Sequence, residues 1–391
     1  MTTDARTPVV IVGAGLSGLV CARILQRARV PVTVLEADAS EWSRQQGGSL
    51  DIHRRTGQAA LRDAGVLDDF LEKVHAGGEA TRVMDKRARV LVDEEEPEGG
   101  NGRPEIDRRA LRHLLVDSLA PGTIEWGTRV VGVELQDGRP VVMLSDRRVS
   151  TDVMVGADGA WSTVRRAVTP VRPAYSGITI VEVRLPNAAE LHSEASAMAG
   201  LGTFFALSDG KSISGHGGEE IVVGLGLRVP EDWAVRNDVN GREPADVRRL
   251  LLDHYRDWAA PLTDLIRHCD DAIWARPIYA LPIGQGWEHR PGITLVGDAA
   301  HLMSPFAGEG ANLALADGAD LARAIIDGTD LDRVVRRHET KLRRRARRAA
   351  KASARGLDMM FEDDSPRRIV RFFTRGRVLS TIVGSFSKQW T

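Results

Sequence analysis

The sequence has little cysteine and no long apolar segment. Two cysteines, Cys21 and Cys269, occur among 391 residues, which excludes a disulfide framework and suits a reducing compartment. No apolar run approaches the ~18 residues of a membrane-spanning helix, so we expect no such helix. Residues 1–6 carry no signal-peptide pattern and lead directly into a predicted strand, so we expect a cytoplasmic protein.

Neither sign of charge is in excess. The 53 Lys and Arg residues balance 54 Asp and Glu residues, for a formal net charge of −1. A chain with almost no net charge has no overall electrostatic attraction for an anionic partner. We therefore expect neither a nucleic acid nor a membrane as a partner. One basic run, residues 343–348, is interpreted as the solvated face of a helix, because no aromatic platform for bases is interleaved with it.

The most informative stretch is residues 8–36, which has the pattern strand, glycine turn, helix, strand, acid. Gly13 permits the tight turn, and Gly15 lets the backbone come close to a pyrophosphate. Gly18 lets the helix pack closely on the strand. These spacings predict a dinucleotide-binding turn.

The helix after this turn begins with Leu16 and Ser17. Its first N–H groups have no partner within the helix and carry the positive end of the helix dipole, which suits phosphates. Glu36 ends the next strand, where a carboxylate can accept hydrogen bonds from ribose hydroxyls. We therefore predict that Leu16, Ser17 and Glu36 contact the dinucleotide together with the three glycines.

Two further motifs follow buried strands later in the chain. Asp158-Gly159 comes after one strand, and Gly297-Asp298 comes after another. Ligands of open α/β sheets bind beyond the carboxyl ends of the strands, so all three motifs are expected to converge on one cofactor. A small-residue loop then leads into a helix, where it can bring backbone N–H groups against a flavin ring. The predicted contacts in this loop are Pro305, Gly308, Gly310 and Asn312.

Hydrophobic periodicity predicts helices over residues 57–76, 108–119, 244–268, 312–327 and 331–360. Residues 171–229 are predicted to be rich in strands. Cys21 falls in the first helix and is expected in the core.

Three signatures together resemble the class A, para-hydroxybenzoate-hydroxylase-like FAD-dependent aromatic hydroxylases: the turn at Gly13, Asp158-Gly159 and Gly297-Asp298. Within them, residues 47–53, 104–108 and 297–308 resemble the tetracycline-inactivating flavin monooxygenases. The resemblance runs over nearly the whole chain and is weakest across residues 171–229.

The resemblance implies an α/β fold with a Rossmann-like FAD-binding domain, an inserted β-sheet substrate domain and a long C-terminal helix. The implied FAD-binding segments are residues 1–76, 103–171 and 279–330. The implied substrate-domain segments are residues 77–102 and 172–278, and residues 331–391 form the bridging helix and tail. A monomer is expected.

By the matched motifs, Asp51, Arg108 and Asp298 would contact FAD, and Arg44 would contact NADPH. An arginine can pair with the 2′-phosphate, which favours NADPH over NADH. The chain has no second dinucleotide turn, since Gly224-Leu225-Gly226 lacks the third glycine and the following helix. NADPH is therefore expected to visit the flavin transiently.

The implied reaction uses NADPH and O₂ to place one oxygen atom on a small aromatic or polyketide substrate, with water as the second product. The cofactor supplies this chemistry, so no side chain is predicted as a catalytic nucleophile or base, and no metal site is predicted. The predicted substrate contacts lie on the strands of residues 171–229, near the loop at Pro305 and in the last long helix: Val181, Phe204, Lys211, Val222, Phe306 and Met359.

The resemblance fails at the residues that hold the drug in tetracycline-inactivating enzymes. Val181 and Val222 stand where those enzymes have a glutamine and a histidine, and their arginine falls near Lys211 or Ser212. Loss of polar side chains that hold the substrate changes which substrate is recognised more than it changes the oxygen chemistry. Another polycyclic or phenolic natural product is therefore as suitable a substrate as tetracycline. Two further alternatives stay open, namely a flavin-dependent halogenase, for which the Trp-x-Trp-x-Ile-Pro signature is lacking, and a non-catalytic flavoprotein.

Overall fold

A computed structural model describes residues 7–43, 48–74, 80–95, 102–363 and 365–371. The chain divides into two compact units. Unit 1 comprises Met1–His75, Gly102–Ala174 and Tyr279–Ala354, and unit 2 comprises Ala76–Asn101, Tyr175–Ile278 and Arg355–Thr391. Within the described residues, no helix is both long enough and apolar enough to cross a membrane.

The described residues form both strands and helices. The strands are β1 (Thr7–Val12), β2 (Val32–Leu35), β3 (Ser49–Asp51), β4 (Thr81–Met84), β5 (Val90–Glu94), β6 (Glu105–Asp107), β7 (Ile124–Glu125), β8 (Val130–Gln136), β9 (Arg139–Leu144), β10 (Arg148–Gly156), β11 (Ala174–Leu185), β12 (Thr203–Ser208), β13 (Lys211–His216), β14 (Ile221–Arg228), β15 (Trp274–Ala280) and β16 (Ile293–Leu295). The helices are α1 (Leu16–Arg27), α2 (Gly57–Ala64), α3 (Leu67–Leu71), α4 (Arg108–Asp117), α5 (Thr163–Val168), α6 (Ala188–Leu191), α7 (Ser193–Ala199), α8 (Trp233–Arg236), α9 (Pro244–His254), α10 (Ala260–Arg267), α11 (Asp298–His301), α12 (Gly310–Asp327) and α13 (Leu331–Phe361).

Unit 1 is built on a sheet of order β7-β2-β1-β10-β9-β8, with β16 also paired to β10. The pairs β7–β2, β2–β1, β1–β10 and β10–β16 are parallel, whereas β9 pairs antiparallel with β10 and β8. The register places Leu35 opposite Val12, Val12 opposite Gly156 and Gly156 opposite Leu295. The carboxyl ends of four neighbouring parallel strands are therefore level with one another.

Two glycines of unit 1 permit close packing, one of α1 on the sheet and one of α12 on α1. A Cβ on Gly18 of α1 would lie 2.2 Å from the Gly13 carbonyl oxygen, which explains the glycine predicted for close helix–strand packing. A Cβ on Gly318 of α12 would lie 2.2 Å from the Ser17 carbonyl oxygen and 2.7 Å from Val20 Cγ1. Cys21 is fully buried in α1 as predicted, and burial raises the pKa of its thiol to about 12.

A buried ionic network joins α11, α12 and α13. His301 Nε2 contacts the Asp317 carboxylate, which also accepts the Gly297 N–H at 3.2 Å. The other oxygen of Asp317 accepts a bond from Arg345 Nη2 at 2.6 Å, and Arg345 Nη1 donates to Asp320. Burial alone would lower the pKa of His301, but the carboxylates of Asp317 and Asp298 raise it overall.

The sheet of unit 2 has the order β15-β11-β14-β13-β12-β4-β5. Alternate residues of its central strands form an apolar core with residues of α7 to α10, including Val181, Phe204 and Ile213. Because successive side chains of a strand point to opposite faces, the intervening residues belong to the other face of the sheet.

Three predictions of local structure require correction. The predicted helix 57–76 ends at Ala64, because Gly65 adopts φ +72° and caps α2 in the left-handed conformation. The predicted helix 244–268 is two helices, because Pro261 fits the first turn of α10 but not a helix interior. Residues 343–348 do not all face solvent: Arg343 donates to the Trp287 carbonyl oxygen at 3.1 Å, and Arg345 joins the Asp317 network.

We predict that Gly318→Ala destabilises the protein by about 1–3 kcal/mol, because its methyl group would overlap the α1 backbone. Gly310→Ala in the same helix is the matched control, since nothing lies within 4 Å of its added Cβ. It should be neutral or stabilising by at most about 1 kcal/mol. Urea unfolding measures both, and equal effects would contradict the packing described for α1 and α12.

We predict that His301 stabilises the fold chiefly at low pH. Its folded pKa lies above the unfolded value, so its contribution is complete below about pH 6.5 and is lost as pH rises through the folded pKa. The difference in unfolding free energy between wild type and His301→Gln should therefore shrink from pH 6 to higher pH. Urea unfolding across this range tests it, and parallel pH curves would show that His301 is not charged in the folded protein.

Candidate functional site

The level strand ends of unit 1 open into a cleft of about 750 Å³, within the usual range for cofactor sites. Most of the predicted cofactor contacts line it. They are Gly13, Gly15, Leu16, Ser17, Glu36, Asp51, Arg108, Asp158, Asp298, Pro305, Gly308 and Gly310. Residues from widely separated parts of the chain therefore meet in one place, as the strand-end argument predicts.

The glycine turn forms one end of the cleft. Gly13 has φ +105°, and a Cβ there would lie 2.5 Å from the Ala157 carbonyl oxygen, so this position requires glycine. At Gly15 the nearest atom to an added Cβ is 3.8 Å away. Gly15 is also the N-cap of α1 and offers no side chain to its first N–H groups. These amides are left for a ligand, and the helix dipole favours an anionic one.

Glu36 fastens the turn to the second strand. Its carboxylate accepts the Ala14 N–H at 2.6 Å and the Asp38 N–H at 3.0 Å, and the side chain is buried. The carboxylate thus lies at the cleft wall beside the turn, where hydrogen-bond donors of a ribose can reach it.

Arg112 lines the cleft as well, although it is not among the residues predicted from the sequence. It lines the cleft with Arg108, one helical turn earlier in α4. Its Nε donates to the Ala14 carbonyl oxygen at 3.1 Å and its Nη1 donates to that of Glu41 at 2.8 Å. The spacing of four residues from Arg108 was the available signal, because residues four apart share a helix face.

Asp158 has a structural task in addition to lining the cleft. Its carboxylate contacts the Ser162 hydroxyl and accepts the N–H groups of Thr163 at 2.7 Å and Val164 at 3.3 Å, which caps α5. Burial raises the pKa of this carboxyl group, although these hydrogen bonds oppose the shift. Arg165, buried behind it, donates to the carbonyl oxygen of Ala299 at 3.1 Å. The second and third motifs are therefore tied together.

Asp298 differs from the other acids because its side chain is exposed in the cleft and has no hydrogen bond or ion pair to the described residues. It is the first residue of α11. A carboxylate held at a rigid strand end with its oxygens open can accept hydrogen bonds from a polyol.

The loop before α12 is held from behind by Asn312. This buried side chain donates to the Asp51 carbonyl oxygen at 2.8 Å and accepts the His53 N–H at 2.8 Å. Gly310, where nothing lies within 4 Å of an added Cβ, brings the N-terminus of α12 to the cleft. Asn312 and Gly18 therefore shape the site without lining it. Arg44 lies outside the described residues.

The six predicted substrate residues are not brought together on one surface. Val181 and Phe204 are fully buried in the apolar core of unit 2. Lys211 lies on the same face, where its Nζ donates to the His254 carbonyl oxygen at 2.6 Å. Val222 lies between the core residues Ile221 and Val223, so it points to the opposite face.

Phe306 and Met359 are half-buried, the first in unit 1 and the second in unit 2. Within the described segments, no group of three or more His, Cys, Asp or Glu side chains is arranged to hold a metal ion.

The residues of the cleft fit a dinucleotide that carries a flavin. Uncapped amides of α1 suit the pyrophosphate, Glu36 suits the ribose, and the open carboxylate of Asp298 suits a polyol chain. Open space at Gly15 and Gly310 leaves room for close approach of a ligand to the backbone.

Comparison with known proteins agrees with this geometry. A family model described as "FAD binding domain" matches residues 6–198 and 288–355. Monooxygenase penA from Penicillium thymicola is 32% identical over 375 residues, which cover 83% of this chain and 86% of that protein.

Two solved structures share the fold. HpxO from Klebsiella pneumoniae, complexed with FAD and uric acid, aligns with a TM-score of 0.79 at 20% identity, covering 94% of this chain and 92% of that chain. The tetracycline destructase Tet(51) aligns with a TM-score of 0.68 at 20% identity, covering 93% and 95%. The chain therefore belongs to the FAD-binding-domain family of para-hydroxybenzoate-hydroxylase-like class A flavoproteins, and it is a flavin-dependent monooxygenase.

Proposed function

We propose that the protein uses NADPH and FAD to insert one oxygen atom of O₂ into a polycyclic aromatic or phenolic natural product. The observation that carries this proposal is the convergence of four strand ends, the α1 and α12 N-termini and the open Asp298 carboxylate on one cleft. The similarity to a fungal monooxygenase over most of both chains supports it.

In this proposal, backbone amides and side chains of the cleft hold the cofactor in position. The α1 amides bind the pyrophosphate, Glu36 binds the ribose and Asp298 binds the ribityl chain. Arg108 and Arg112 add positive charge beside the phosphates. The N-terminus of α12 stabilises negative charge at the ring. When bound, FAD supplies the oxygen-activating redox chemistry, so no side chain needs to act as a nucleophile.

NADPH is the proposed electron donor. Among the described residues, Gly224-Leu225-Gly226 lies inside strand β14 and not at a strand–helix turn, so it offers no second dinucleotide site. Transient use of NADPH, with Arg44 pairing to its 2′-phosphate, remains part of the proposal.

We propose that the substrate binds on the face of the unit 2 sheet that carries Val222. Strand pairing places Arg184 and His216 opposite Val222, and Glu182 and Ser214 opposite Gly224, all on this face. Paired residues on one face form a continuous surface. Glu182 and Ser214 beside a glycine can anchor the polar groups of a planar substrate, whereas Val181, Phe204 and Lys211 face the helix-covered core.

If tetracycline is the substrate, the proposed reaction inactivates it. Tet(51) supports the fold, but the two valines at the predicted drug-holding positions point to opposite faces and cannot form one anchor pair. We therefore favour a different polycyclic or phenolic substrate. The predicted domain boundaries, the monomeric state and the cytoplasmic location also remain proposals.

The test is oxidation of NADPH and NADH by the FAD-loaded protein under labelled O₂, with tetracycline and a panel of polycyclic phenols. We expect one compound to accelerate NADPH oxidation and to gain one labelled oxygen atom.

Three results would contradict the proposal. Halogen gain in the presence of chloride would favour a halogenase. Ligand binding without NADPH oxidation would favour a non-catalytic flavoprotein. Faster oxidation of NADH than of NADPH would remove the role proposed for Arg44.

A further inference from the structure

Helix α13 carries a strong local charge in a nearly neutral chain. It holds eleven Arg and Lys residues and three Asp and Glu residues, whereas the whole chain has a formal net charge of −1. The helix is amphipathic, with Val335, Leu342, Ala346 and Ala349 buried along one side. The basic residues of α13 therefore differ in their surroundings according to the face of the helix on which they lie.

The outward face carries a continuous basic stripe, which we define as Arg337, Lys341, Arg344, Arg348 and Lys351. Their spacing of four, three, four and three residues keeps them within an arc of about 80° over a length of about 21 Å. All five side chains are exposed. None of them has an ion pair or a side-chain hydrogen bond to any described residue.

Other basic residues of the same helix are neutralised by partners. Arg336 pairs with Asp332 at 3.1 Å, and Arg345 binds both Asp317 and Asp320. Like charges three or four residues apart repel one another, so the basic stripe opposes helix formation in the free protein. An anionic surface would relieve this repulsion along the whole stripe.

The shape of the stripe favours a flat partner. Cations along one line of a single helix can meet a plane at the same time. The stripe has no aromatic side chain on which bases could stack, which disfavours single-stranded nucleic acid. The sequence of residues 366–391 adds a second indication, because it contains six Arg and Lys residues, no Asp or Glu, and the aromatic residues Phe372, Phe373, Phe386 and Trp390. Basic residues combined with Phe and Trp are typical of segments that bind the membrane interface.

We propose that the basic stripe of α13 is a docking surface for an anionic phospholipid membrane, to which the protein binds peripherally. This differs from the expectation based on the whole-chain net charge, because that sum hides the concentration of positive charge on one helix. A basic residue near an anionic leaflet contributes about fivefold to binding, so five residues in a line suffice for reversible attachment.

The test is sedimentation of the full chain with vesicles of phosphatidylcholine alone and of phosphatidylcholine mixed with phosphatidylglycerol. We expect binding to the mixed vesicles only, and loss of binding at high salt. The triple variant Lys341→Glu, Arg344→Glu, Arg348→Glu should bind at least about tenfold more weakly. The variant Lys341→Arg, Arg344→Lys, Arg348→Lys should bind like wild type.

The matched control reverses three exposed basic residues that are far apart in the sequence and lack ion pairs to described residues: Arg62→Glu, Arg139→Glu and Arg242→Glu. It makes the same change in net charge and should retain binding, and circular dichroism checks that every variant is folded. Equal losses in both charge-reversed variants would overturn the proposal, as would absence of wild-type binding. Tighter binding to an oligonucleotide or an acidic protein than to the mixed vesicles would overturn it as well.

Discussion

The cofactor cleft depends on the register of parallel strands in unit 1. Leu35, Val12, Gly156 and Leu295 lie level across four strands, so the chain leaves each strand at the same edge. At that edge the turn at Gly13 passes so close to Ala157 that no side chain fits between them. The uncapped α1 N-terminus and the carboxylate of Asp298 follow directly from these strand ends. The site is thus a consequence of how the sheet is assembled.

A second layer of contacts holds this edge in place. Asn312 joins the loop before α12 to the backbone at Asp51 and His53, and Asp317 joins the turn at Gly297 to His301 and Arg345. Gly318 permits the close packing of α12 on α1 that these bonds require. Residues that do not line the cleft therefore hold in place the residues that do.

Local features of the fold could be predicted from the sequence because each depends on neighbours in the chain. The glycine turn, the helix of residues 331–361 and the strand-end motifs are examples, and the breaks at Gly65 and Pro261 had recognisable local signals as well. The ionic network around Asp317 could not be predicted, because its members come from three elements and meet only in the folded protein. The sheet face of Val181 could not be assigned either, since a shift of one residue in an alignment reverses the direction of every side chain in a strand.

We expect this one cleft to hold FAD, with Asp298 as a direct ligand of the cofactor. The most direct measurement is the identity and amount of cofactor released on denaturing the purified wild type and Asp298→Ala. We predict one FAD per chain in wild type and a markedly lower FAD content in the variant, because the open carboxylate is lost while the fold is kept. A different dinucleotide in the wild type would show that the cleft does not hold FAD, and full FAD content in a folded Asp298→Ala variant would show that Asp298 is not a ligand of the cofactor.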